Sequence, residues 1–484
     1  MNPANIWANI PAGDEEYDVI VVGSGMAGIG AAVASAKNGA KTLLLEANPF
    51  FGGVTHTCLW MPTNRVYLPG YHGGGQPAEI SRGGVHAMFI DSLKALGCEA
   101  WAPGSVSSKG FDGGSIIIHP DYLRLAVFNL LDSVGCHYRL NSPVTGVLKE
   151  GQTVTGVVVT GKDGRREYRA KVVVDATGDA DIAWLAGTPT QKGRPEDGKL
   201  MPVTLTFVLG NVDYAALKAW KPGRHNRPMD VSKLSAQEQE ARYQQNPASV
   251  TAEDDAFYAM IREARQQGYT TAAWYAFTKT TVPDVITCNN GGLFEAGNLD
   301  GTQVQDLVFA ERVGIQIAVD FIEIARKWHM PGLSDCHLLR VAAPVAVRES
   351  RRIVGDYALS IDDLREDTQF EDVVAINYEG VADNVYYHGL VKMGTQIPYR
   401  SLLPKGIEGL LVAGRCISTT YEACSGIRGQ GTVMAIGQAA GVAAALSSRA
   451  QVTPRQMEVG WIQQALLEMG AELTAREKRG PFDF

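Results

Sequence analysis

Cysteine is scarce in this chain and carries no pattern. The 484 residues include seven, Cys58, Cys98, Cys136, Cys288, Cys336, Cys416 and Cys424, an odd number with neither CxxC nor metal-ligand spacing. No zinc or other metal site is expected, and scattered thiols of this kind fit a reducing cytoplasm. Long apolar runs are missing as well, so no membrane partner is expected. The opening MNPANIWANIPAGDEEYD has no basic segment followed by an apolar core, so no signal peptide is expected either. Blocks of like charge are absent: the net charge is −8, and the short basic clusters Gly164-Arg165-Arg166 and Arg348–Arg352 argue against a nucleic-acid partner. No repeat or low-complexity tract is visible. What remains is the composition of an ordinary soluble enzyme, long enough for two or three domains.

Glycine, by contrast, is abundant, and three glycines follow the first apolar run. Val19–Val22 suit a buried parallel strand, and Gly23, Gly25 and Gly28 then form a GxGxxG turn. Gly23 permits the tight turn, Gly25 lets the backbone approach a pyrophosphate, and Gly28 allows close packing of the following helix. That helix starts at Ser24–Gly28, including Met26 and Ala27, and its N-terminal amides suit phosphates. Lys41–Leu45 read as the second strand, ending in Glu46, whose carboxylate can accept both hydroxyls of an adenosine ribose. A dinucleotide site is expected here.

The segment beyond Glu46 discriminates between dinucleotides. Ala47 opens a stretch ending in Gly52-Gly53, and this E-x(5)-GG arrangement resembles flavoproteins of the glutathione-reductase-like superfamily. Ala170–Asp179 is a strand running into an Ala176-Thr177-Gly178 turn, and Gly409–Arg415 is a strand ending at Gly414-Arg415. Gly429-Gln430-Gly431-Thr432 then opens an Ala/Gly-rich helix. Together with RESRRIVGDYALS (348–360) and IPYRSLLPKGIEGLLVAGRCIS (397–418), these motifs resemble the FAD-dependent oxidoreductase family, a relative of the fumarate reductase and tRNA-modifying flavoprotein groups, from about Asp18 to about Ala445. The resemblance implies FAD as cofactor, held by Gly23, Ser24, Gly25, Met26, Ala27, Gly28, Glu46, Ala47, Gly52, Gly53, Val144, Ala176, Thr177, Gly178, Gly414, Arg415, Gly429, Gly431 and Thr432. The dithiol of the disulfide reductases is missing, and no second complete GxGxxG supports NAD(P)H as direct reductant. Fold membership does not by itself supply the reaction.

The implied fold class is α/β: a Rossmann-like FAD-binding domain, discontinuous in sequence, with an inserted α+β substrate domain. Its expected parts are 1–190, the first part of the flavin domain, and 191–340, the substrate domain. Residues 341–450 return to the flavin domain and 451–484 form a closing helix and tail. Leu59 to about Gly114 read as an irregular excursion, rich in Gly, Pro, His and aromatics. Helical spacing marks Asp121–Gly135, Ser235–Gln245, Thr302–Trp328 and Gln456–Met469. Val144–Val159 alternate as a meander, Asp163-Gly164 signals a hairpin, and Val203–Leu209 read as a strand.

Catalytic candidates are fewer. His56 follows Gly52-Gly53 and is a candidate proton-transfer group or covalent flavin anchor, with a backbone-bonded structural histidine as the competing reading. Cys58 is a weaker candidate, since unpaired cysteines are usually small buried hydrophobes. Tyr387 and His388, in Tyr386-Tyr387-His388 with Lys392 nearby, suit a phenol or imidazole at the substrate, or an aromatic turn between domains. Arg428 suits an anionic flavin, a substrate carboxylate or an ordinary salt bridge. Asn289-Asn290-Gly291-Gly292 resemble a family position where the chain leaves the substrate domain's sheet, which implies an amide for a substrate oxygen; a turn is the competing reading. Arg351 and Arg352 are expected to knit the returning chain to the sheet. The expected activity is a dehydrogenase or reductase moving a hydride between flavin N5 and a small-molecule substrate; the alternatives are a flavin monooxygenase or an RNA-modifying flavoprotein. Electron donor or acceptor is left open, as is a homo-oligomer.

Overall fold

The computed structural model describes residues 9–11, 16–60, 63, 83–97, 99–103, 116–220, 256–272, 275–290, 298–378 and 394–475. Five parallel strands form its centre, in the order His137–Arg139, Thr42–Leu45, Glu16–Val22, Gly164–Asp175 and Leu410–Val412. These are short Val/Leu/Ile runs, as expected of strands covered on both faces. The register sets Arg139, Leu45, Val22, Asp175 and Val412 at one level, so every glycine-bearing turn leaves the sheet from the same carboxyl edge. The order, with its reversal beside the first strand, is Rossmann-like, and ligands in such sheets sit outside this edge.

The strand Gly164–Asp175 joins the parallel and antiparallel parts of one seven-stranded sheet. Its first half pairs antiparallel with Thr153–Gly161, which pairs with Val144–Glu150, while its last three residues pair with the distant Leu410–Val412. The flavin domain is therefore assembled from both ends of the chain. A second core lies between them in sequence, around a four-stranded antiparallel sheet, in the order Tyr275–Lys279, Ile286–Asn290, Phe207–Gly210 and His337–Val341, with helix Val304–Lys327. The architecture is thus mixed α/β, a Rossmann-like unit with an inserted α+β unit. Ser235–Gln245 lie outside the described residues.

Three expectations need correction. The excursion after Leu59 contains a helix, Gly84–Lys94, whose Val85, Phe89, Ile90 and Leu93 are buried; the flanking glycines mask this helical spacing. The strand expected at Val203–Leu209 starts only at Phe207. Gln430–Ala450 is long and apolar enough to cross a membrane, contrary to the expectation that no such segment exists, but 89% of its apolar window is buried inside the protein. Its apolarity is explained by this packing.

Helix Met26–Lys37 is what buries it. A Cβ on Gly437 would lie 1.9 Å from the Ala27 carbonyl oxygen, one on Gly441 2.2 Å from that of Ala31, and one on Gly30 2.3 Å from that of Met434. The helices touch backbone to backbone, and the successive contacts Ala27 with Gly437 and Ala31 with Gly441 run in the same direction. We expect Gly437→Ala to force the helices apart and cost about 1–3 kcal/mol in denaturant unfolding. Gly460→Ala, where a Cβ meets nothing within 4 Å, should be neutral or stabilising by up to about 1 kcal/mol.

Candidate functional site

Both helix N-termini of this pair open on the carboxyl edge of the sheet. Neither Met26–Lys37 nor Gln430–Ala450 has a side-chain cap, so their first amides and positive dipole ends face outward. From the contacts above, the second helix starts about one and a half turns, ~8 Å, further out than the first. One terminus suits a diphosphate and the other a second electron-rich group farther along the same extended molecule.

The first turn separates glycines that serve the fold from one whose open side suits a ligand. Gly23 has φ +95°, and a Cβ there would lie 2.6 Å from the Ala176 carbonyl; on Gly28 it would lie 1.7 Å from the carbonyl of Gly23. On Gly25 it would meet nothing within 4 Å. That open side, next to the uncapped helix, is the cradle expected for a pyrophosphate. Gly53 packs against Gly25, within 2.9 Å of its Cα for an added Cβ. The Gly-Gly pair thus lines the same cradle.

Glu46 sits buried at the end of the second strand. Its Oε2 accepts from the Ser24 amide (2.8 Å) and Ser24 Oγ (2.7 Å), and its Oε1 accepts from the Asn48 amide and Nδ2 (both 2.8 Å). The two amides fix the carboxylate, whereas the two side-chain donors can rotate away and yield to two ribose hydroxyls. Ser142 donates its amide to the Glu46 carbonyl at 2.8 Å, which brings the chain at Val144 alongside this end of the site. Ala47 follows Glu46 directly. The residues present fit an adenine dinucleotide.

The ATG turn is held from beneath. Buried Asp175 accepts from the Thr177 amide (3.1 Å), Thr177 Oγ1 (2.7 Å) and the Ala183 amide (2.9 Å). Thr177 thereby shapes the turn, and Ala176 backs the Gly23 turn. Gly178, at φ +81°, lies under the guanidinium of Arg415, within 2.3 Å of it for an added Cβ. Arg415 bonds Asp179 at 2.5 Å, and Ser350 donates to the same carboxylate at 2.5 Å. Arg351 donates to the Asp179 carbonyl at 2.9 Å and pairs with Asp181, while Arg352 pairs with buried Glu349. These contacts tie residues 348–352 to the turns after the fourth and fifth strands. Gly414 approaches Ala27, within 3.2 Å of its Cβ for an added Cβ.

Thr432 is buried near the start of the second helix, where its Oγ1 donates to Asn377 Oδ1 at 3.0 Å; Gly429 is the N-cap and Gly431 lies within the first turn. Asn377 was not legible as a site residue, because its partner is 55 positions away and no local motif marks it. Gln438, whose Oε1 accepts the Val85 amide at 3.0 Å, ties the Gly84–Lys94 helix to the same element.

The candidate catalytic side chains fall in two groups. Tyr387 and His388, with Tyr386 and Lys392, lie outside the described residues. His56 is buried in the short helix Val54–Thr57; its ring packs on Phe50 at 4.3 Å and its Nδ1 lies 3.1 Å from the Pro120 carbonyl. That carbonyl can only accept, so Nδ1 carries the proton and Nε2 keeps its lone pair. Burial holds the imidazole pKa below its ordinary value. Cys58 is also buried, and burial pushes its thiol up to about 11 although Arg348 and Arg428 act on it in the opposite sense. It is a neutral thiol at pH 7. Arg428 follows helix Tyr421–Ile427 as its C-cap and immediately precedes Gly429.

The family model for FAD dependent oxidoreductases matches residues 18–466. The chain belongs to the FAD dependent oxidoreductase family. FAD is accordingly the cofactor, and the protein is an FAD-dependent oxidoreductase. A 3-oxosteroid 1-dehydrogenase of Mycolicibacterium smegmatis is 44% identical over 241 residues, covering 39% of this chain and 42% of the relative. A digeranylgeranylglycerophospholipid reductase of Picrophilus torridus is 27% identical over 176 residues, covering 34% and 39%. The chain thus spans about two fifths of the length of these curated relatives. Among solved structures, a geranylgeranyl bacteriochlorophyll reductase-like protein of Thermoplasma acidophilum aligns with a TM-score of 0.44 at 14% identity, over 95% of this chain and 85% of that one. A flavin-dependent brominase, Bmp2, aligns with a TM-score of 0.44 at 14% identity, over 90% of this chain and 81% of that one.

For this FAD-dependent oxidoreductase, Gly25→Ala should leave unfolding within about 0.5 kcal/mol of wild type and lower FAD affinity at least tenfold by titration. Gly28→Ala should instead destabilise the apoprotein. For His56, whose folded pKa lies below the usual 6.5, the unfolded chain takes up its proton first. Its contribution to stability is therefore full above pH 6.5 and is lost as pH falls through the folded value. Denaturant midpoints against pH should show this slope weakened in His56→Gln.

Proposed function

We propose that this FAD-dependent oxidoreductase is a dehydrogenase or reductase, moving a hydride between flavin N5 and a small oxygen-bearing organic substrate. The observation that carries this reading is the chemistry of one face of the four-stranded sheet. Phe207 and Phe277 turn to Phe321 of helix Val304–Lys327, with ring centroids 5.6 and 5.8 Å from it, and Leu205 meets Gly314 on the same side. Strand alternation therefore sends Thr287 and Asn289 to the opposite face, and Thr204 and Thr206 flank Leu205 just before the strand Phe207–Gly210. Thr204 Oγ1, Thr287 Oγ1 and Asn289 Oδ1 are buried without a hydrogen-bond partner among the described residues. Buried polar groups normally have one, and a substrate with hydroxyl or carbonyl oxygens supplies it.

This face looks toward the segment that follows Gly52-Gly53. Thr206 acts on the Cys58 thiol, and Arg340, from the same sheet, acts electrostatically on His56. Arg348 and Arg428 also act on Cys58. Positive potential from three arginines favours a substrate carboxylate, or oxygen on which negative charge develops during the reaction. When bound, FAD supplies the two-electron chemistry at N5. The chain supplies proton management: neutral His56, oriented through Nδ1 by Pro120, offers Nε2 as the base that takes a proton from a substrate hydroxyl or activated carbon. The relatives named as a dehydrogenase and a reductase agree with this class of reaction.

The test is anaerobic bleaching of the flavin band by NADH, NADPH and a panel of hydroxy acids, alcohols, amines, sugars, a 3-oxosteroid and an isoprenoid lipid. The expected result is bleaching by one organic class and not by nicotinamides. Rapid bleaching by NADH or NADPH would overturn the dehydrogenase reading in favour of a nicotinamide-driven reductase or monooxygenase. His56→Asn should keep the bound flavin spectrum and slow bleaching by the active substrate about 10²–10⁴-fold.

A further inference from the structure

Helix Val304–Lys327 buries one face and exposes a second face that is also apolar. Gly314, Ile317, Phe321 and Ala325 turn to the second core. Away from it, Val304 is 75% exposed, Val308 64%, Ile315 40% and Val319 42%. An open groove of about 600 Å³ runs along this side, with Glu311 and Arg312 at its middle. A helix that merely covered a sheet would present charged and polar residues there. Apolar residues on both sides of a charged centre, spread over four turns, mark an interaction surface.

The stripe is a chemical palindrome. Counted outward from the peptide bond between Glu311 and Arg312, Val308 is matched by Ile315 and Val304 by Val319, while Leu307 falls opposite the polar Gln316 at the margin. Two such helices laid antiparallel about a two-fold axis through that bond set Val against Ile and Val against Val on either side of the centre. At the centre each copy's Glu311 meets the other copy's Arg312, twice over. Neither residue has an ion-pair partner among the described residues, and partial burial raises the Glu311 carboxyl with no neighbouring cation to hold it down. A closed two-fold contact requires a surface complementary to itself, and both the apolar spacing and the charge order of this helix satisfy that condition.

We propose that this face pairs with a second copy of the chain, making the protein a two-fold homodimer through antiparallel contact of the helices Val304–Lys327. Sedimentation velocity on the FAD-loaded full chain, at tens of micromolar, should show a dimer. Glu311→Arg makes the centre of the interface wholly basic, and Arg312→Glu makes it wholly acidic. Each should raise the dimer dissociation constant more than tenfold while leaving the flavin spectrum unchanged. An equimolar mixture of the two single variants should restore dimerisation, as should the double variant Glu311→Arg/Arg312→Glu. A wild-type monomer, a dimer indifferent to both single substitutions, or a mixture that stays monomeric would each overturn the pairing. So would a monomer that floats with phosphatidylcholine vesicles, which would assign the stripe to a lipid surface. Ile315→Glu, away from the charged centre, gives an independent variant and should also yield monomer. These outcomes do not depend on which substrate the enzyme turns over.

Discussion

Backbone contact between two helices at opposite ends of the sequence governs the cofactor site. Glycine at 30, 437 and 441 removes the side chains that would hold Met26–Lys37 and Gln430–Ala450 at ordinary separation. Their close approach fixes the staggered N-termini relative to one another, and the spacing of those termini selects a long, two-ended anion over a simple phosphate. The same contact explains why the second helix is so apolar: nearly every side of it is covered. Interior close packing of this kind transmits displacement, so the position of one dipole is set by the other.

Around that pair, polar groups do the local positioning. Asp175 shapes the ATG turn, Asp179 receives Arg415 and Ser350, and the buried Glu349–Arg352 pair secures the returning segment. Buried ion pairs contribute little net stability against apolar replacements, but removing one member leaves an uncompensated charge. Their value here is geometric. They fix where the fifth strand enters the sheet, and hence where the loop carrying Arg428 and the second helix begin.

The cofactor motifs were legible because each rests on a local requirement. A positive φ at Gly23, close backbone approach at Gly28 and a strand-terminal acid at Glu46 are all written in adjacent residues, and the structure gathers them at one sheet edge. What escaped was non-local or masked by composition. The Gly84–Lys94 helix hid among glycines, and Asn377 and Gln438 act on residues far away in sequence. The sequence offers Asn289 as an amide for a substrate oxygen, but that Thr287 shares its face follows only from strand register. Of the candidate side chains, His56 lies beside the cradle with one nitrogen committed to Pro120. The backbone-bonded reading of this histidine is the one the structure bears on; its part in proton transfer is a proposal.

The strand Gly164–Asp175 ends against Leu410–Val412, a partner more than two hundred residues downstream. During synthesis, the first four strands can associate long before that partner leaves the ribosome, and one flank of the carboxyl-end segment of this strand stays unpaired meanwhile. Exposed strand edges invite pairing with other chains, and contacts of such long range form slowly. The nascent protein therefore passes through an interval in which its sheet is open and its second dipole absent. The second half of the flavin site therefore becomes available only after the inserted unit has been made, and until then the open sheet edge is exposed to mispairing.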